Sequence, residues 1–151
     1  MDKIKIMLVD DEERFLTTTA KLLNKKGIDV ITANSGAKAL ELLRTKDIHV
    51  AVLDVKMPGM DGIETLKQIK ARYPLVEVIM LTGHGTMDSA IEGLKSGASD
   101  YLIKPTDLDN LISCLETAYQ KRKLLDEKIR MAQGRNFMKS PREIIKNTPV
   151  E

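Results

Sequence analysis

Five short apolar runs punctuate the chain, and after each one apolar residues return every three or four positions. The runs are Ile4–Val9, Ile28–Ala33, His49–Asp54, Glu77–Leu81 and Asp100–Ile103, and their length and boundaries predict strands. Val50-Ala51-Val52-Leu53 is wholly apolar, the pattern of a strand buried on both faces of a parallel sheet. The stretches between predict helices. Glu12–Lys26 carries Phe15, Leu16, Thr19, Leu22 and Leu23 at helical spacing, and Gly27 is placed to end it. Asn34 or Ser35 can cap a second helix through Arg44 that buries Ala37, Leu40 and Leu43. Asp61 or Gly62 opens a third, with Ile63, Leu66 and Ile69 on one face, which must stop before Pro74. Thr86–Ser96 is a fourth, closed by Gly97. Asp107 caps a fifth that runs well past Tyr119. Beyond Gly134 the pattern fades, so Arg135–Pro141 is expected to be a loop and Arg142–Asn147 a single further turn.

Strand–helix alternation with short connections predicts an α/β protein with a parallel sheet and helices on both faces. Composition narrows this picture. Apolar residues make up 42% of the 151, enough for a full core. Aromatics are only 3%, which argues against stacking on nucleic-acid bases. The single cysteine, Cys114, forbids an internal disulfide and suits a reducing compartment. No run approaches transmembrane length and the N-terminus is too short for a signal peptide, so a cytoplasmic protein with no membrane partner is expected. Residues 121–151 hold nine Lys/Arg and four Asp/Glu, a net of +5. Residues 1–120 hold fifteen and eighteen, a net of −3. An acidic body therefore carries a basic tail, read here as a solvated helix face rather than a nucleic-acid contact.

The strand ends carry the chemistry. Asp10 and Asp11 close the first strand, Asp54 the third, Thr82 the fourth and Lys104 the fifth. In a doubly wound, flavodoxin-like five-stranded sheet of order 2-1-3-4-5, strands one and three are neighbours at the switch point, where ligands gather. Three carboxylates then share one pocket. They cannot all stay ionised without compensation, so either one takes up a proton or a cation binds. Oxygen ligands in an open site suit Mg²⁺. With Lys104 and the Thr82 hydroxyl alongside, this is equipment for phosphoryl transfer, with the central Asp54 as nucleophile.

Four segments resemble the receiver domain of two-component response regulators: Val9-Asp10-Asp11-Glu12, Leu53–Gly62, Leu81-Thr82-Gly83-His84 and Tyr101-Leu102-Ile103-Lys104-Pro105. The resemblance covers roughly residues 3–120, and Met80–Thr86 looks like receivers of nitrogen-regulation-style regulators. It implies that Asp54 accepts phosphate from a sensor histidine kinase or phosphotransfer protein. It implies that Asp10, Asp11, Asp54 and the backbone carbonyl of Lys56 hold Mg²⁺, that Thr82 and Lys104 bind the phosphoryl group, and that Tyr101 is a switch aromatic. It also implies that Lys56 and His84 tune the access of water. The protein would be a phosphoacceptor that catalyses its own phosphorylation and slow dephosphorylation, not an enzyme with a separate substrate. Phosphohydrolases resembling haloacid dehalogenases need a second Asp two residues after the nucleophile, where this chain has Lys56. A nucleotide-binding reading needs a phosphate-cradling loop after the first strand, where Asp10-Asp11-Glu12-Glu13 would repel phosphate. Met57, Met60, Met80 and Met87 are expected to pack in the core or at its rim.

Two units are expected: a receiver over 1–120, and a helical extension with a basic tail over 121–151. Regulators of this style continue into output domains, so this is either a stand-alone receiver with a downstream partner or a piece of a larger regulator. Leu111, Leu115, Ala118, Arg122, Leu125, Ile129 and Ala132 recur at spacings of four and three, a coiled-coil seam interrupted by Arg122. The first half of that helix should pack on the sheet through Leu108, Leu111, Ile112 and Leu115. The second half should project and pair with a second copy.

Overall fold

The apolar runs form the strands expected of them. The computed structural model describes residues 3–138. Strands β1 (Lys5–Val9), β2 (Asp29–Ala33), β3 (Val50–Leu53), β4 (Glu77–Thr82) and β5 (Asp100–Ile103) alternate with helices α1 (Glu13–Lys25), α2 (Gly36–Leu43), α3 (Gly62–Arg72), α4 (Met87–Lys95) and α5 (Leu108–Met138). The sheet is parallel throughout, in the order β2-β1-β3-β4-β5. Alternate residues of each strand face opposite sides, and two cores result. Met7, Val9, Ala51, Leu53, Val78 and Met80 pack with Leu40, Leu43, Ile63, Leu66 and Ile69 of α2 and α3. Ile6, Leu8, Val50, Val52, Ile79 and Leu81 pack with Leu16 and Leu23 of α1 and with Leu111, Leu115 and Ala118 of α5.

Helix starts follow the capping residues. Ser35, not Asn34, caps α2 by accepting the Lys38 amide at 3.1 Å. Asp61 caps α3 through the Glu64 amide at 2.9 Å, and Asp107 accepts the Asn110 amide at 2.6 Å at the start of α5. Ala37 is exposed where burial was expected. With α2 beginning at Gly36, its inward face runs through Gly36, Ala39, Leu40 and Leu43. Leu22 of α1 is 43% exposed, whereas Leu16 and Leu23 are buried and Phe15 packs partly against the same core.

The last helix corrects two expectations. It continues through Met138, where a loop was predicted after Gly134. A lone glycine costs a helix only about 1 kcal/mol, and no proline follows before Pro141. Arg122 does not merely interrupt the stripe. Its guanidinium donates to the Ile48 carbonyl at 3.0 Å and pairs with Asp126 at 3.1 Å, so α5 stays fastened to the domain for one turn beyond Ala118. Past that point Leu125 is half-buried and Ile129 is 42% exposed. The turn expected at 142–147 and residues 139–151 of the basic tail lie outside the described residues. No described helix is long and apolar enough to cross a membrane.

Candidate functional site

Strand register builds the site. Val9 lies opposite Leu53, Leu53 opposite Met80, and Thr82 opposite Ile103. The residues that follow or end these strands, Asp10, Asp54, Thr82 and Lys104, therefore fall along one edge. The ladder continues into them: the Asp54 amide donates to the Val9 carbonyl at 3.0 Å, and the Lys104 amide donates to the Thr82 carbonyl at 2.8 Å. Gly62 closes the loop behind Asp54. Its amide donates to the Val55 carbonyl at 2.7 Å, and a Cβ there would collide with the Asp54 carbonyl oxygen.

The sequence-predicted residues do come together. Carboxylate oxygens of Asp10, Asp11 and Asp54 lie within 4.8 Å of one another. Asp10, Asp54 and Thr82 are buried and Asp11 is exposed. Lys104 Nζ donates to Asp10 at 2.6 Å and stands 3.5 Å from Glu12. The other Asp10 oxygen accepts the Glu12 amide at 2.9 Å. Thr82 Oγ1 accepts the His84 amide at 3.0 Å. Asp54 Oδ1 is buried with no hydrogen-bond partner among the described residues. Lys56 is exposed and, with Asp11, Glu12, Asp61 and His84, lines a cleft of about 420 Å³ beside the carboxylates. Tyr101 is half-buried one strand away, its hydroxyl 2.6 Å from Ser89 Oγ. Met57 and Met80 are buried and Met60 packs against the same core, whereas Met87 is 77% exposed on α4.

The electrostatics follow from crowding. Burial pushes the Asp10 carboxyl above its usual range, and the nearby Asp54 charge adds to this; the Lys104 and Glu12 hydrogen bonds oppose it without cancelling it. For Lys104, burial alone would lower proton affinity. The Asp10 hydrogen bond and the charges of Asp10, Asp54 and Glu12 outweigh it and hold the ammonium above its ordinary value. Pairing explains the rise at Lys104 but not the one at Asp10, which is a burial effect. An oxygen-lined pocket with an orphaned buried carboxylate oxygen and excess negative charge fits a divalent cation.

Two contacts escaped the sequence analysis. Glu12 is a second anion on Lys104, and the Phe15 ring lies under Nζ at 3.9 Å from its centroid. Glu12 could have been noticed as the third carboxylate in a row; nothing in the pattern marks Phe15 beyond its place on α1.

Comparison with known proteins agrees with this geometry. Residues 6–116 match the response regulator receiver domain. The transcriptional regulatory protein ZraR of Escherichia coli K12 is 46% identical over 117 residues, 78% of this chain and 26% of that protein. The DNA-binding transcriptional regulator NtrC of the same strain is 39% identical over 113 residues, 75% of this chain and 24% of that protein. A receiver domain from Clostridium thermocellum superposes with a TM-score of 0.77 at 38% identity, covering 81% of this chain and 98% of that one. NtrX from Brucella abortus gives 0.80 at 30% identity, covering 86% and 30%. The chain thus spans about a quarter of the length of these curated relatives, 26% and 24%. It belongs to the response regulator receiver domain family of two-component systems.

Proposed function

We propose that Asp54 is the phosphoacceptor of this receiver. The observation that carries the proposal is the Asp54 carboxylate: central, buried, and with one oxygen unpartnered among the described residues beside a cleft. That oxygen attacks phosphorus in a phosphohistidine. A new O–P bond forms as the N–P bond breaks, and the imidazole leaves with the electron pair. Lys104 has three donors, and its contacts with Asp10 and Glu12 leave one for a phosphoryl oxygen. Thr82 accepts from His84, which leaves its own proton to donate. Asp10, Asp11, Asp54 and the Lys56 carbonyl would hold Mg²⁺, which supplies charge neutralisation at the transferred group. The residue doing the chemistry is consumed as acceptor in each cycle, so this is self-phosphorylation and slow self-dephosphorylation rather than turnover of a separate substrate. Lys56 and His84, at the rim, are placed to govern water.

The same reading divides the chain into a receiver unit, 1–120, and a helical extension with a basic tail, 121–151. The donor is a sensor histidine kinase or phosphotransfer protein in the cytoplasm. The recipient of the signal is an output domain or a separate partner. Leu125, Ile129 and Ala132 continue the apolar stripe of α5 past the domain edge, which supports a homodimer through this helix. Incubation with acetyl phosphate and Mg²⁺ should add one acid-stable, base-labile phosphate, and Asp54→Asn should remove it. An Asp54→Asn protein labelled at the wild-type rate would end the assignment.

A further inference from the structure

The Ser89 hydroxyl, in the first turn of α4, has every hydrogen-bonding position filled. Its oxygen lies 3.0 Å from the Thr86 amide, 3.0 Å from the Thr86 carbonyl and 2.6 Å from the Tyr101 hydroxyl. A hydroxyl has one proton and two lone pairs. The carbonyl can only accept and the amide can only donate. Ser89 therefore gives its proton to Thr86, and Tyr101 gives its proton to Ser89. The Ser89 amide in turn donates to Thr86 Oγ1 at 3.0 Å, completing a capping box.

This box lies on a continuous path from the phosphoryl pocket. Thr82 Oγ1 holds the His84 amide, and Gly85 follows. A Cβ at Gly85 would collide with the Ile103 side chain and come within 3.1 Å of the Tyr101 hydroxyl, so the loop is seated directly against that tyrosine. Packing holds α4 only weakly: Gly93 is its one buried residue, and Met87, Ile91 and Leu94 are exposed. Apart from the exposed Lys67–Glu92 pair at 3.5 Å, the Tyr101–Ser89 bond is the side-chain hydrogen bond that ties α4 to the sheet side of the molecule among the described residues.

We propose that Ser89 is a positioning residue whose bond from Tyr101 holds the ring in its present place. Any displacement of Tyr101 must then break its bond to the α4 capping box at Ser89. The proposal rests on the reading of Asp54 and Thr82 as the phosphoryl site, since that site would drive the displacement.

The test is amide exchange and NMR on the full chain as wild type, Ser89→Ala, Tyr101→Phe and the double variant. Tyr101→Phe removes only the hydroxyl and should speed exchange at Ser89 and Ala90 by roughly three- to tenfold, the net worth of one such bond. Ser89→Ala should speed it further. The double variant should fall short of the product of the two effects, because the shared bond is lost once. Effects that simply multiply would overturn the proposal. The measurements are then repeated with Mg²⁺ and beryllofluoride, a mimic of the acyl phosphate. The proposal expects the shortfall to vanish while Asp54 and Thr82 resonances shift. A shortfall that persists despite those shifts overturns Ser89's role in displacement. If Asp54 and Thr82 do not shift, the phosphoacceptor reading fails instead, and the resting measurement still decides the bond.

Discussion

At the scale of single residues, the site trades stability for charge density. Asp11 is exposed yet stands within 4.8 Å of two other carboxylates, and it has no hydrogen bond or ion pair among the described residues. Removing it relieves repulsion and deletes no contact. Asp11→Ala should therefore leave thermal stability within about 0.5 kcal/mol of wild type or raise it, while labelling by acetyl phosphate and Mg²⁺ is lost. An unfolded variant would make Asp11 structural. Gly62→Ala is the opposite case. The new methyl meets the Asp54 backbone, so a melt should show a loss of about 1–3 kcal/mol or more, together with slower labelling. His49 offers a pH signature far from the site. Its Nδ1 accepts the Lys5 amide at 3.0 Å, and burial, then the Arg122 charge, lowers its pKa below 6.5. The unfolded chain therefore takes up this proton first. Stability should hold above that unfolded value and fall as pH drops through the folded one. Denaturant midpoints from about pH 7 to about pH 5 should decline less steeply in His49→Gln than in wild type. Parallel declines would remove His49 from the account.

At the scale of elements, the sequence was most legible where one rule dominates. Strand runs, the Asp61 and Asp107 caps and the Gly97 stop followed from periodicity and turn chemistry, and the strand order from the doubly wound fold that strand–helix alternation suggested. The pocket residues were legible because a parallel sheet gathers strand ends. Contacts between distant positions were not. Arg122 meets the Ile48 carbonyl across 74 positions, and Tyr101 meets Ser89 across 12; these depend on where long side chains end, which no periodicity encodes. The first half of α5 packs on the sheet as expected, but Arg122 looked like an interruption because spacing along a helix does not show that its guanidinium reaches the Ile48 carbonyl. The fastening predicts that Arg122→Ala will raise amide exchange in α5 after residue 119 severalfold, about 1 kcal/mol of local stability, without altering labelling. Unchanged exchange would mean the Ile48 contact does not hold the helix.

At the scale of the whole molecule, α5 is the element that reaches beyond the fold. Its 31 residues span about 46 Å, more than one small domain can cover. Sedimentation should show a dimer for the full chain and a monomer for a chain ended after Gln120 or carrying Ile129→Lys, and a full chain that stays monomeric at high concentration would leave the distal stripe without a self-partner. The central claim, however, is chemical: one carboxylate, at Asp54, takes the phosphoryl group. An acyl phosphate is reduced by borohydride to the alcohol, so an aspartyl phosphate becomes homoserine. The protein treated with acetyl phosphate and Mg²⁺, reduced, digested and sequenced by mass spectrometry should carry homoserine at position 54 and aspartate at positions 10 and 11. Homoserine at another carboxylate, or at none while position 54 remains aspartate, would contradict the account.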